Sequence, residues 1–141
     1  MWSCSGVLYH IPNPLHLLLA LKRITGEHLV LTSVVARSQY PHVAGPLRVP
    51  EVACLFLPAL EGTEKEAVAD YWKDLVGDGA VGLTRENPTW RIEDFGPWWW
   101  LPRPAALWAL CRTAGFHLLE EGEFWGGDAV TLLLSTRPTK K

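Results

Sequence analysis

The sequence predicts an α/β fold, and three observations lead there. Residues 1–36 follow a strand, helix, strand pattern. The last member of that unit, HLVLTSVVA, is a near-continuous apolar, β-branched run. Such a run suits a strand covered on both faces, and hence a parallel sheet between helices. Residues 98–141 hold a further helix and two strands joined at Gly126-Gly127-Asp128, a hairpin signal. Residues 37–97 form a long insert between these parts, so a single, partial domain in three segments is expected.

Each element has a local reason. The opening stretch, MWSCSGVLYHIPNPL, places apolar β-compatible residues at Trp2, Cys4, Val7 and Leu8 and is expected to end a buried strand. Gly6 lets the backbone pass close to a neighbour. Asn13 and Pro14 suit the N-cap and first position of a helix over Pro14–Thr25. Its apolar face is Leu15, Leu18, Leu19, Leu21 and Ile24; Lys22 and Arg23 complement the dipole, and Gly26 ends it. The strand His28–Ala36 then completes a βαβ unit with a right-handed crossover.

The insert has prolines at 41, 46, 50 and 58 and no clear period, so it reads as irregular. One helix interrupts it, Thr63–Val76, with a capping box of Thr63 and Glu66. Its inward stripe is Ala67, Val68, Tyr71, Trp72, Leu75 and Val76, and Gly77 terminates it. Residues 77–97 again look loop-like, and an interval this long suggests a lid or an acceptor-recognition insert, or else structural filler. A helix at Arg103–Ala114 follows, ended by Gly115 and Phe116 in a Schellman arrangement. His117–Trp125 and Ala129–Arg137 are the final strands.

Bulk properties narrow the function classes. The 141 residues are 48% hydrophobic and 20% charged, which describes a folded globular chain. Thirteen Lys and Arg against 15 Asp and Glu give a net charge of −2. No strongly basic field exists, so avid non-specific nucleic-acid binding is not indicated. Cys4, Cys54 and Cys111 are far apart and sit among apolar residues, as reduced thiols of a cytoplasmic protein would. No apolar run approaches the ~18 residues of a membrane span, so no membrane partner is expected.

Candidate chemistry gathers at two places. Tyr9 and His10 form a polar pair where the first strand stops. Histidine titrates near neutrality and could take a proton from an acceptor, although His10 could equally bond backbone near the following helix. His16 lies six residues on, but the pair lacks a third ligand, so no metal is expected. The second place is Trp98-Trp99-Trp100, in a chain with eight tryptophans. Three adjacent indoles cannot all face one core, so at least one should line a pocket or meet a partner, with Trp90 and Arg91 close by. Arg103 beside them could neutralise an anionic acceptor.

Ser5-Gly6-Val7-Leu8-Tyr9-His10, followed by Asn13-Pro14-Leu15, resembles the segment after the fourth strand of class I S-adenosylmethionine (SAM) dependent methyltransferases. The form is close to the branch that includes tRNA wobble-uridine carboxymethyltransferases. Trp100-Leu101-Pro102 through Ala114-Gly115-Phe116 is similar to that family's final crossover helix. The resemblance implies a partial Rossmann-like methyltransferase sheet of strands four to seven, the last pair an antiparallel hairpin. It implies that Ser5, Gly6 and Val7 contact the methionine side of SAM through backbone groups, and that Tyr9 and His10 face the acceptor. Trp98, Trp99, Trp100 and Arg103 would then wall the acceptor site.

The family grips adenosine with an earlier glycine-rich turn and an acidic residue, and no such unit occurs in these residues. The glycines at 77, 79 and 82 are not that turn, because no good strand precedes them and no helix follows. The expectation is therefore the C-terminal portion of a methyltransferase, which binds SAM only when complemented. The family's first strand would lie beside its fourth, so the Trp2–Leu8 edge is expected to pair with a second copy or a separate N-terminal half. The alternative is a non-catalytic binding or regulatory subunit, a pseudoenzyme that keeps this half-fold to dock a partner.

Overall fold

Gly6, at φ +70°, turns the chain out of the extended conformation and so limits strand β1 to Trp2–Ser5. The computed structural model describes residues 1–77, 90–92 and 97–140. A single 3₁₀ turn, Leu8–His10, follows β1 and leads to helix α1 (Pro14–Ile24). The Asn13 side chain accepts the His16 N–H at 3.0 Å, and Pro14 occupies the first turn, as the sequence predicts. Thr25, in extended conformation, closes the helix by donating its hydroxyl and its N–H to the Leu21 carbonyl, a role expected of Gly26. Strand β2 (His28–Val34) then pairs with β1 in parallel, Cys4 opposite Leu31.

The insert is more ordered than its composition suggests. Strands β3 (Gln39–Tyr40) and β4 (Leu47–Arg48) form one small antiparallel pair. Strand β5 (Cys54–Phe56), helix α2 (Gly62–Val76) and strand β6 (Trp100–Pro102) follow, with β5 and β6 antiparallel. Helix α3 (Pro104–Thr113), strand β7 (His117–Phe124) and strand β8 (Ala129–Ser135) complete the chain. The main sheet runs β1-β2-β8-β7, and β8 is antiparallel to both neighbours. Helix α3 ends as a Schellman motif: Gly115 has φ +94°, Phe116 N–H donates to Cys111 at 3.0 Å and Gly115 N–H to Arg112 at 2.9 Å.

Two cores result. In the first, Leu18 of α1 and Leu107 and Cys111 of α3 pack on Leu29, Leu31, Val130, Leu132 and Leu134. Both helices therefore cover the same sheet face. In the second, Ala67, Val68 and Trp72 of α2 pack with Val34, Tyr40, Val49, Trp98 and Leu101. This second core joins the main sheet where β2 ends, and Ala36 N–H donates to the Pro102 carbonyl at 2.8 Å.

Several expectations change. β1 is an edge strand and not a buried one: Trp2 is 52% exposed, and Val7 and Leu8 lie beyond the strand. Along most of β2 one face only is covered among the described residues: α1 and α3 share a side and leave Val30 and Thr32 half-buried, while Val34 at its end enters the second core. On α1, Leu19 and Ile24 are exposed and Leu17 packs inward instead. The capping box does not form. Helix α2 starts at Gly62, which puts Thr63 inside the first turn, and Glu66 pairs with His42 Nε2 at 2.9 Å. Leu75 is 53% exposed. The loop-like stretch after Gly77, including Gly79 and Gly82, lies mostly outside the described residues.

Candidate functional site

The carboxyl ends of β1 and β2 meet the β7–β8 turn at a recess of about 110 Å³. In open sheets with parallel strands, ligands bind at such strand ends. Ser5, Gly6 and Tyr9 line one side of it, Thr32 and Val34 the floor, and Phe124 and Trp125 the other side. The fold builds this from local causes. Gly6 is favoured by its backbone, at φ +70°, and a Cβ there would come into contact with the Tyr9 hydroxyl at 3.4 Å. Thr32 and Thr131 share a hydrogen bond across β2 and β8 at 3.0 Å, which fixes the floor. Burial pushes the Tyr9 phenol above its usual pKa, so at neutral pH it is a protonated donor and not a base.

Of the residues nominated from sequence, the recess gathers Ser5, Gly6 and Tyr9 and leaves the others elsewhere. The Gly6 N–H is not free for a ligand, since it donates to the Thr32 carbonyl at 3.3 Å. Val7 packs against the first core, and its carbonyl accepts from His10 N–H at 3.0 Å. His10 lies beside Tyr9, ring centroids 4.6 Å apart, and its Nδ1 meets the Pro97 carbonyl at 3.3 Å. A carbonyl can only accept, so Nδ1 is the donor in this contact and Nε2 takes no part in it.

The tryptophans do not form one wall. Trp98 is buried against Tyr9 and Trp72, and its carbonyl accepts from Trp90 Nε1 at 2.9 Å. Trp99 is also buried and donates its N–H to the Tyr9 carbonyl at 2.7 Å, while its indole N–H has no partner among the described residues. Trp100 is half-buried, donates its indole N–H to the Pro12 carbonyl at 2.9 Å and borders a separate apolar groove with Cys54 and Leu110. Arg103 donates to the Ala36 carbonyl at 2.9 Å, so its guanidinium ties the insert to the end of β2. Two of the three indoles thus serve packing, because the short β5–β6 pair places them between the insert and the 3₁₀ turn.

Behind the recess lies a polar cluster that sequence patterns did not bring together. Asp128 is 2% exposed and accepts from Tyr71 at 2.8 Å and from Arg37 Nε at 2.8 Å. A second guanidinium nitrogen of Arg37 donates to the Gly126 carbonyl at 2.8 Å. The Tyr40 hydroxyl accepts the Arg37 N–H at 3.1 Å, and burial pushes that phenol up to about 12. The hydrogen bond from Arg37 to Asp128 strengthens the guanidinium's hold on its proton. The cluster fastens the β7–β8 turn, the end of β2 and helix α2 to one another. Its only local signal is an aspartate beside two glycines and an arginine directly after an apolar strand.

Nucleophile and metal chemistry find little here. Burial pushes the thiols of Cys54 and Cys111 up to about 11 and about 12 and also raises Cys4, so all three are protonated at neutral pH. Among the described residues, no three His, Cys, Asp or Glu side chains gather as a metal site would need. Among the same residues, no helix is long and apolar enough to cross a membrane. Compared with known proteins, the chain matches no family model and no curated relative.

Proposed function

We propose that these residues supply the methionine and acceptor side of a class I SAM-dependent methyl transfer, with the adenosine cradle coming from another chain or from sequence beyond them. The recess at the ends of two parallel strands, bordered by Ser5, Gly6 and Tyr9, carries this reading. In the reaction, an acceptor lone pair attacks the sulfonium methyl in line. The C–S bond breaks, its electron pair stays on sulfur, and the acceptor's proton leaves to a base. Tyr9 donates a hydrogen bond, and His10, packed on Tyr9 but outside the recess wall, is the group proposed for that proton; most of the rate comes from positioning. A chain lacking the adenosine contacts should hold SAM only at millimolar strength, since each lost charged hydrogen bond costs ~1.5–3 kcal/mol.

The test is an NMR titration of the full chain with SAM, backed by calorimetry. Shifts confined to Gly6, Thr32 and neighbours, with millimolar affinity, are expected. Absence of any shift there at saturating SAM would overturn the reading. Micromolar binding with turnover by these residues alone would overturn the claim that the cradle lies elsewhere.

The edge strand supplies a second expected outcome. β1 exposes Trp2 and carries no charge, whereas the opposite edge, β7, is guarded by Glu120, Glu121 and Glu123. The chain should associate through β1, with a second copy or a complementary half. Light scattering should show mass rising with concentration, and Trp2→Lys should hold the chain monomeric. A native chain that stays monomeric at every concentration argues against this pairing.

A non-catalytic binding subunit is the second reading, favoured by the structural use of Trp98, Trp99 and Arg103. It predicts that His10→Gln leaves every measurable property of a complemented assembly unchanged. The methyltransferase reading predicts a loss of transfer on the order of 10²-fold or more from that variant.

A further inference from the structure

We propose that the recess is a binding site for small onium cations, a trimethylammonium or trialkylsulfonium head group held on the rings of Tyr9, Phe124 and Trp125. The proposal rests on the same recess as the methyltransferase reading and deepens it, but it concerns charge recognition by these residues and needs no adenosine. Among the described residues, its wall holds three aromatic residues with Ser5, Thr32 and Ser33, and no lysine, arginine, aspartate or glutamate. An onium ion carries no N–H to donate, so hydroxyl walls hold it poorly and ring faces hold it well. Its charge is attracted by the ring quadrupole, and a neutral group of the same shape lacks that gain. A recess of about 110 Å³ suits a head group better than a nucleoside.

The surroundings favour positive charge. Glu123 stands next to the β7–β8 turn, and β7, which also carries Glu120 and Glu121 further along, contains no lysine or arginine. Arg37, a cation near the turn, is neutralised by Asp128 at 2.8 Å. Trp125 completes the case. It sits at φ +52°, a left-handed conformation uncommon outside glycine, and is 60% exposed. Its ring meets Phe124 edge-on, 5.5 Å between centroids, and a ligand stacked on the indole would use the surface this contact leaves exposed. The turn is held in place by the Arg37 bonds to Gly126 and Asp128, so the indole is positioned before a ligand arrives.

The experiment is a titration of the isotope-labelled full chain, read at the Trp125 indole and the Thr32 amide, at constant ionic strength. The probes are tetramethylammonium, trimethylsulfonium and the neutral isostere 3,3-dimethyl-1-butanol. Both cations should saturate the site, and the alcohol should bind about tenfold more weakly. Trp125→Phe should bind within about threefold of native, and Trp125→Gly should lose about tenfold or more. Glycine accepts the left-handed conformation, so that variant stays folded, and its spectrum outside the recess checks this.

Equal binding of the alcohol, or native-like cation binding by Trp125→Gly, overturns the proposal. Two further ligands, SAM and its neutral-sulfur product S-adenosylhomocysteine, separate the two readings. Cation binding without SAM binding keeps this proposal and removes the methyltransferase one. Equal binding of SAM and its product, with no response to tetramethylammonium, does the reverse.

Discussion

Replacing Trp72 by alanine should destabilise the protein by about 3–5 kcal/mol, the cost of removing a large buried aromatic side chain. Trp72 is fully buried in helix α2 and makes edge contacts with Trp98 at 4.8 Å and Tyr71 at 5.6 Å between centroids. The indole fills the centre of the second core, and its neighbours are fixed by strands that cannot collapse into the space. The effect should reach the recess, because Trp98 packs against Tyr9 at 5.0 Å. Urea unfolding followed by fluorescence and by circular dichroism measures it. Two separated transitions are expected in the variant, the insert melting before the sheet. A single transition with a loss below 1.5 kcal/mol would show that the second core does not depend on this residue.

Replacing Arg37 by methionine should cost about 3 kcal/mol, because it leaves a buried carboxylate without its ion-pair partner. The asymmetry of the pair decides the size. The Arg37 side chain is 40% exposed, so water screens its charge and it gains little from the pair. The Asp128 side chain is 3% exposed and, among the described residues, keeps the Tyr71 hydroxyl as its donor when the guanidinium is gone. Asp128→Asn, which removes the buried charge itself, should cost less than Arg37→Met. A double-mutant cycle with Tyr71→Phe should give a coupling of about 1 kcal/mol, since both donors meet the same carboxylate. Equal losses for Arg37→Met and Asp128→Asn would mean that burial of the charge is not what the guanidinium offsets.

This cluster also marks where the sequence stops being legible. Asn13 and Pro14 announce α1, Gly115 and Phe116 announce the end of α3, and the structure realises both through bonds that span only a few residues. Arg37 and Asp128 are 91 positions apart, and nothing near either residue names the other. The capping box at Thr63 fails for the same reason in reverse. A long-range partner, His42, takes Glu66 away from the local arrangement its spacing suggests. Tyr9, by contrast, follows the end of β1 directly, because its position depends on the turn that Gly6 makes three residues earlier.

By itself the sequence determined the parallel strand-helix-strand unit, the terminal hairpin, the start of α1 and the end of α3, since these follow from periodicity, capping and backbone conformation of near neighbours. Only the tertiary structure decided which face of β2 is covered, which indoles are buried, and what stands around the recess. Burial and charge pairing are properties of surfaces brought together by the whole chain, and a residue type alone does not say which surface it will meet.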